Sequence, residues 1–163
     1  MERAITISRE FGSGGRELGV KLAESLGIPF YDKELISMAA EESDMSEDAF
    51  LHYDENMPFI KDPLDRQFDS PFSSSYQVPM SDQIFLAQSR VIRKLADQGP
   101  CVIVGRCADM VLENSVNLFI YARMKDRIKR MNSLETGVDP VKMESRIREV
   151  DRKRKDYYQY YTG

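Results

Sequence analysis

The sequence is poor in the residue types on which several common chemistries depend. Among its 163 residues there are no tryptophans, one histidine and two cysteines. Cys101 and Cys107 belong to no CxxC motif or cysteine–histidine cluster, so we expect no zinc site. The single histidine, His52, lies in an acidic, loop-like stretch, which argues against a serine–histidine triad.

Long apolar segments are also lacking. No run approaches the length needed to cross a bilayer, and the N-terminus enters a strand-like run without a signal-type apolar segment. We therefore expect no membrane partner and a cytoplasmic location. The formal net charge of −4 argues against non-specific coating of nucleic acid. No specific nucleic-acid partner is expected either.

Basic residues are scarce in one part of the chain, and acidic residues are outnumbered in another. Residues 41–69 contain ten acidic and two basic residues, whereas residues 123–155 contain twelve basic and six acidic ones. A modestly acidic protein with such a basic C-terminal third can bind anions there. A solvated amphipathic helix would account for about half of the basic residues as well.

Strand-like and helical segments alternate along the chain. The continuous apolar run at residues 101–104 is typical of a strand buried on both faces. Strand–helix alternation of this kind predicts an α/β domain, a parallel sheet flanked by helices in three α/β/α layers. Predicted strands cover residues 4–8, 28–31, 101–104 and 117–121. Predicted helices cover residues 16–26, 33–42, 81–97, 107–112, 124–134 and 140–159, with a further short one starting at Ser46.

One stretch differs in character from the rest of this domain. Residues 53–79 hold four prolines and a run of three serines, which predicts a long loop or mobile insert. We interpret residues 1–163 as a single domain that includes this insert.

A glycine cluster between the first strand and the first helix is the clearest candidate site. Gly12, Gly14 and Gly15 can turn several amide N–H groups inward, and the start of the helix adds partial positive charge. Arg16 adds a full charge and a planar donor fork suited to phosphate. A tight turn that needs glycine for geometry alone is the alternative. The predicted phosphate-binding residues are Ser8, Arg9, Gly12, Ser13, Gly14, Gly15 and Arg16.

The cluster departs from two familiar nucleotide-binding patterns. Gly15 stands where the lysine of GxxxxGK[ST] would be, and Arg16 stands where the hydroxyl residue would be. The residue at the third glycine position of GxGxxG is Glu17, so a dinucleotide fingerprint is incomplete. Asp32, at the end of the second strand, matches the ribose-binding acid of such folds and keeps a dinucleotide site as a weaker alternative.

Four segments together resemble the cytidylate kinase-like family. They are residues 5–17 (ITISREFGSGGRE), 29–36 (PFYDKELI), 102–109 (VIVGRCAD) and 157–163 (YYQYYTG). The family is related to the P-loop nucleoside monophosphate kinases. The resemblance implies a P-loop nucleoside triphosphate hydrolase fold of the nucleoside monophosphate kinase type. It also implies a basic lid helix at about residues 140–161, and a last strand and helix that this chain lacks.

The resemblance also assigns roles to individual residues. It makes Arg16, Asp32 and Arg106 the candidate catalytic residues, with Asp32 near the acceptor and Arg106 on the acceptor phosphate. Cys107 replaces the aspartate of the family's Gly-Arg-Asp segment. Arg123, Arg127 and Arg130 follow the last predicted strand. The expected acceptor and lid residues are Arg106, Asp109, Arg123, Arg127, Arg148, Arg152 and Arg154.

The expected function is transfer of phosphate from ATP to a nucleoside monophosphate such as CMP. Mg²⁺ is expected to accompany ATP and neutralise the triphosphate, while no metal site built from the protein is predicted. The missing lysine and hydroxyl favour a second hypothesis, a weakly active or inactive nucleotide-binding regulatory module with a degenerate phosphate loop. A homodimer is one expected assembly.

Overall fold

The strands of the sheet lie close to where the sequence predicts them. The computed structural model describes residues 3–55, 78–135 and 138–163, so most of the predicted insert at residues 53–79 lies outside the described residues. The described strands are β1 (Ala4–Arg9), β2 (Phe30–Tyr31), β3 (Val102–Val104) and β4 (Ser115–Ile120). Each begins or ends within two residues of its predicted bounds.

The described helices also agree with the periodicity of the sequence. Ser46 accepts a hydrogen bond from the backbone N–H of Ala49 and so caps α3, as its position before two acidic residues predicts. Pro140 occupies the first turn of the last helix, and Asp139 caps that helix through two backbone N–H groups. The helices are α1 (Gly15–Leu26), α2 (Glu34–Ser43), α3 (Glu47–Tyr53), α4 (Met80–Gln98), α5 (Ala108–Val111), α6 (Met124–Leu134) and α7 (Pro140–Thr162).

The four strands form one parallel sheet in the order β2-β3-β1-β4. The register places Ile5 opposite Val102 and Val116, and Tyr31 opposite Ile103. In the part of the chain that the structure describes, β4 pairs with β1 alone. All four carboxyl ends lie at the same edge, where ligands bind in sheets of this kind.

Each face of the sheet has its own apolar core. On one face, Ile5, Ile7, Val102 and Val104 pack with Ala23 of α1. The opposite face is covered by buried residues of α2, α4 and α5. This arrangement confirms the predicted three-layer α/β/α fold, and residues 101–104 are all buried, as predicted for a strand buried on both faces.

The last helix packs along the domain at both ends of its length. Near its start, Met143 and Ile147 are buried with Met131 of α6. Near its end, the Tyr161 ring stacks on the ring of Phe85 in α4, with centroids 3.8 Å apart. The tyrosine-rich end of α7, residues 157–161, therefore contributes to packing between α7 and α4.

No helix among the described residues is both long enough and apolar enough to span a membrane.

Truncating the buried tyrosine of α7 tests this packing. Tyr157 is 4% exposed, and its hydroxyl lies 3.4 Å from Gln88 Oε1. We expect Tyr157→Ala to lower the free energy of unfolding by about 3 kcal/mol, since it leaves a cavity. Tyr157→Phe, the control, keeps the ring and should cost about 1 kcal/mol. Urea denaturation measures both, and an unchanged value for Tyr157→Ala would show that this end of α7 is not docked in solution.

Candidate functional site

The carboxyl ends of three strands bring the predicted residues together. Arg9 ends β1, Asp32 follows β2, and Gly105 and Arg106 follow β3. Gly105, Arg106 and Cys107 have successive φ values of 76°, 56° and 53°. Left-handed backbone is costly for residues other than glycine, and such strain concentrates at functional sites.

The glycine cluster forms a turn with the geometry of an anion cradle. Gly12 and Gly14 have φ values of 77° and 90°, and α1 begins at Gly15 with no side chain capping it. The first N–H groups of a helix have no partner within the helix, so they are available to an anion. The hydroxyl of Ser13 is buried without a hydrogen-bond partner in the described structure. A phosphate oxygen would supply the missing partner.

Gly15 allows the helix to approach the first strand closely. A Cβ atom at this position would lie 2.7 Å from the Cβ of Arg9 and 3.3 Å from that of Ile120. Glycine therefore stands in the lysine position of the usual motif because the backbone here has no room for a side chain.

Arg127 connects the loop to the last two helices. Its guanidinium is buried and donates to Phe11 O at 3.2 Å and to Asp151 Oδ2 at 2.6 Å. The other oxygen of that carboxylate accepts from the Phe11 N–H at 2.7 Å. Arg127 was predicted as an acceptor or lid residue, and the structure places it where it holds the phosphate loop in position.

Arg130 is the basic residue of α6 that reaches the cradle itself. A Cβ added to Gly14 would lie 3.1 Å from the Arg130 guanidinium, which also pairs with Glu17 at 2.7 Å. Arg123, by contrast, is exposed and pairs with Asp126 of its own helix turn. The basic residues that follow β4 thus have different surroundings, and Arg130 supplies charge to the loop.

Arg16 turns away from the cradle towards the second strand. Its Nε donates to Asp32 Oδ2 at 2.9 Å, and its guanidinium lies over the Phe30 ring, 5.6 Å from the centroid. The Arg16 side chain is 59% exposed. For Arg16 to bring its charge to a phosphate in the cradle, as the sequence predicts, its side chain would have to leave Asp32.

Arg106 is buried among carboxylates. Its Nη1 lies 3.4 Å from Asp32 Oδ1, and its Nη2 donates to Asp54 Oδ2 at 2.9 Å. Burial by itself would lower the pKa of Arg106, but Asp54, Glu55 and Asp32 outweigh it and raise that pKa. The Nε of Arg106 is buried without a partner in the described structure.

Glu55 completes this charge cluster. Its carboxylate accepts from Arg9 Nη1 at 2.5 Å, from Arg154 Nε at 3.1 Å and from the backbone N–H of Arg106 at 3.2 Å. Burial by itself would raise the pKa of Glu55, but the charges of Arg9, Arg154 and Arg106 lower it to about 2. For Asp54, burial dominates and raises the pKa despite Arg106.

We use the name arginine–carboxylate cluster for Arg9, Arg16, Arg106, Arg154, Asp32, Asp54 and Glu55. All seven members line a cavity of about 940 Å³ together with the glycine loop, and Lys153 lines the same cavity. A second cavity, of about 950 Å³, opens towards β4 and α7 and shares Arg9, Glu55, Arg106 and Arg154 with the first. Four members of the cluster, together with Glu10, thus line both cavities.

The remaining predicted residues lie further from the loop. Asp109 accepts from the Tyr158 hydroxyl at 2.8 Å, and Ser8 lines the second cavity. Arg148 is exposed and pairs with Glu144 of the preceding turn, and Arg152 is exposed. These contacts place neither arginine at the glycine loop.

The residues at the loop fit a nucleotide phosphate better than they fit a bare metal ion. The first N–H groups of α1, the Ser13 hydroxyl, Arg130 and Lys153 are all donors or cations, which suit an anion. Within residues 3–55, 78–135 and 138–163, no group of three or more acidic, histidine or cysteine residues could hold a metal ion.

The sequence of the chain matches one family model over nearly its whole length. The model of the cytidylate kinase-like family covers residues 4–163. The chain belongs to the cytidylate kinase-like family. This membership confirms the resemblance carried by the four sequence segments, and it supports a nucleotide kinase-type phosphotransferase.

Solved structures extend the comparison beyond the cytidylate kinase-like family. A crystal structure of an uncharacterized protein from Eubacterium ventriosum is 30% identical, with a TM-score of 0.68, and the match covers 98% of this chain and 78% of that one. Shikimate kinase from Bacteroides thetaiotaomicron is 15% identical, with a TM-score of 0.54 and coverages of 98% and 83%. A gluconokinase from Sinorhizobium meliloti is 13% identical, with a TM-score of 0.50 and coverages of 91% and 74%. The two kinases confirm the fold class. No curated protein matches the chain.

Sequence reasoning missed three residues of the site in this family member. Asp54 and Glu55 belong to the acidic stretch at residues 41–69, which appeared only as a charge imbalance. Lys153 was one of many cations on α7. The excess of acidic residues at 41–69 and of basic residues in the C-terminal third was a signal that these two parts pair with each other.

The lowered pKa of Glu55 predicts a pH-dependent stability. Its folded-state pKa of about 2 lies below the ordinary value of 4.5. The carboxylate therefore stabilises the fold above about pH 4.5, by on the order of 3 kcal/mol, and this contribution is lost as the pH falls towards 2. Glu55→Gln should remove it. Urea unfolding of both proteins between pH 7 and pH 3 measures the difference, and parallel pH curves would contradict the assigned ion pairs.

Proposed function

We propose that the chain transfers the γ-phosphoryl group of ATP to a nucleoside monophosphate, with CMP as the first candidate acceptor. The observation that carries the proposal is the adjacency of two anion sites. One is the glycine loop with Arg130, and the other is the arginine–carboxylate cluster at the ends of β1, β2 and β3. Two phosphate-bearing substrates need two such sites side by side.

The glycine loop is the proposed donor site. The first N–H groups of α1 and the Ser13 hydroxyl would hold the β and γ phosphates, and Arg130 and Lys153 would supply the charge that the missing lysine gives elsewhere. Arg16 could add to this charge by exchanging Asp32 for a phosphate oxygen. When bound with ATP, Mg²⁺ neutralises the triphosphate.

The arginine–carboxylate cluster is the proposed acceptor site. Arg9, Arg106 and Arg154 would hold the acceptor monophosphate, and Asp32 would orient the arginines around it. One oxygen of that phosphate forms a bond to the γ-phosphorus as the bond to the β–γ bridging oxygen breaks, giving two nucleoside diphosphates. The attacking oxygen is already ionised at neutral pH, so the protein contributes mainly positioning and positive charge.

One observation favours the second hypothesis, a nucleotide-binding regulatory module. Arg16 is paired with Asp32 and Gly15 leaves no room for a lysine, so the loop has less charge than the usual motif. Such a module would bind ATP without transferring phosphate. A cytoplasmic location suits either function, and two free, buried cysteines agree with a reducing compartment.

Transfer of label from γ-³²P-ATP with Mg²⁺ to a panel of nucleoside monophosphates, separated by chromatography, tests the proposal. We expect a labelled diphosphate from CMP or from another monophosphate. Arg130→Ala should raise the KM for ATP about tenfold or more, because it removes a charge-assisted contact. Arg93→Ala is the matched control, since Arg93 is exposed on α4 and lines neither cavity.

Two results of this assay would go against the kinase. If no monophosphate receives label while ATP binding is intact by calorimetry, the regulatory module is the better account. If Arg130→Ala and Arg93→Ala change the KM for ATP equally, Arg130 is not part of the donor site.

A further inference from the structure

Glu55 occupies the position that an anionic ligand of the arginine–carboxylate cluster would take. Its two carboxylate oxygens accept from Arg9, from Arg154 and from the backbone N–H of Arg106, at 2.5 to 3.2 Å. Guanidinium groups together with a backbone N–H are the donors that proteins use to hold phosphate. The resident carboxylate therefore satisfies donors that are equally suited to a phosphate group.

The backbone around Glu55 is shaped to admit this anion. A Cβ atom on Gly105 would lie 2.0 Å from Glu55 Oε1 and 2.3 Å from Arg9 Nη1, so any side chain there would fill the space that the carboxylate uses. Glu55 itself has a φ of 51°, in the left-handed region that costs a glutamate about 1 kcal/mol. The backbone thus adopts a costly conformation that places the Glu55 carboxylate beside these donors.

One buried donor of the cluster has no partner among the described residues. The Nε of Arg106 is buried without a partner in the described part of the chain. A phosphate monoester has three terminal oxygens, whereas a carboxylate has two, so a phosphate offers one more acceptor to the donors of the cluster.

Charge balance points the same way. In the cluster, the guanidinium groups of Arg9, Arg16, Arg106 and Arg154 face the carboxylates of Asp32, Asp54 and Glu55. Within the named cluster four guanidinium groups face three carboxylates, and Glu34 and Asp151 also act on Arg16, Arg106 and Arg154. Exchange of Glu55 for a phosphate keeps negative charge beside these buried guanidinium groups, as a buried site requires.

We propose that Glu55 is an internal competitor for phosphate: its carboxylate fills the site formed by Arg9, Arg154 and the N–H of Arg106, and a substrate phosphate binds there by displacing it. The inference rests on the proposed acceptor site and adds its regulation. The apparent Kd for phosphate equals the Kd of the free site divided by the fraction of molecules in which Glu55 has left it. Glu55 therefore sets the concentration of phosphate ligand that the protein responds to.

Calorimetric titration of the full chain with CMP and, separately, with inorganic phosphate tests the inference. Glu55→Gln keeps the shape of the side chain and removes its charge, so we expect both ligands to bind at least about tenfold more tightly than to the unmodified protein. Glu113→Gln is the matched control, because Glu113 is exposed and lines neither cavity. It should leave both affinities unchanged.

Two further variants keep the test decisive. Glu55→Asp keeps the charge but withdraws the carboxylate by one methylene, so it should tighten binding to a smaller extent even if Glu55→Gln folds poorly. Adding Arg154→Gln to Glu55→Gln should abolish the gain, which would locate the phosphate at this cluster. Unchanged or weaker binding in both Glu55 variants, or no binding of either ligand to any of the proteins, would overturn the inference.

The outcome separates this inference from the proposed function. Tighter binding in the Glu55 variants without transfer of label from ATP would keep the internal competitor and remove the kinase. Transfer of label by the unmodified protein, with Glu55 variants that bind CMP no more tightly, would keep the kinase and remove the competitor.

Discussion

The arginine–carboxylate cluster is the constraint around which the site is arranged. A parallel sheet places the ends of β1, β2 and β3 at one edge, and that edge here carries Arg9, Asp32 and Arg106. Burying an arginine costs several kcal/mol unless carboxylates pair with it. Arg106 therefore requires Asp32 and Asp54, and these acids in turn fix the end of α3 against the strands.

The same charges that hold the fold together also form the proposed phosphate site. Donors that now hold Glu55 lie next to a glycine loop whose Ser13 hydroxyl is buried without a partner in the described structure. Arg127 and Asp151 hydrogen-bond to the backbone of Phe11 in that loop, so the position of the loop depends on the packing of α6 and α7. Stability and ligand binding thus draw on one set of ion pairs.

The sequence was sufficient to predict the fold but only part of the site. Continuous apolar runs and glycine stops specify strands and helices locally, so β1, β3 and α6 lie where their patterns predict. The motif residues Asp32 and Arg106 were also found, because strand ends converge by topology alone. Glu55 lies in no motif, and its role depends on contacts with Arg9 and Arg154, which are 46 and 99 residues away in the chain. Periodicity cannot show such contacts, nor that Arg127 is buried while Arg130 reaches the loop.

The most direct test of this account is the ¹H–¹⁵N spectrum of the arginine Nε–H groups, recorded while CMP is added. Signals are assigned by single arginine-to-lysine variants. The account predicts that the Nε–H signals of Arg106 and Arg154 shift and saturate together, because phosphate replaces Glu55 beside them, while the signal of Arg93 stays in place. Saturating CMP that shifts only exposed arginines, or none, would contradict the claim that the cluster is where phosphate binds.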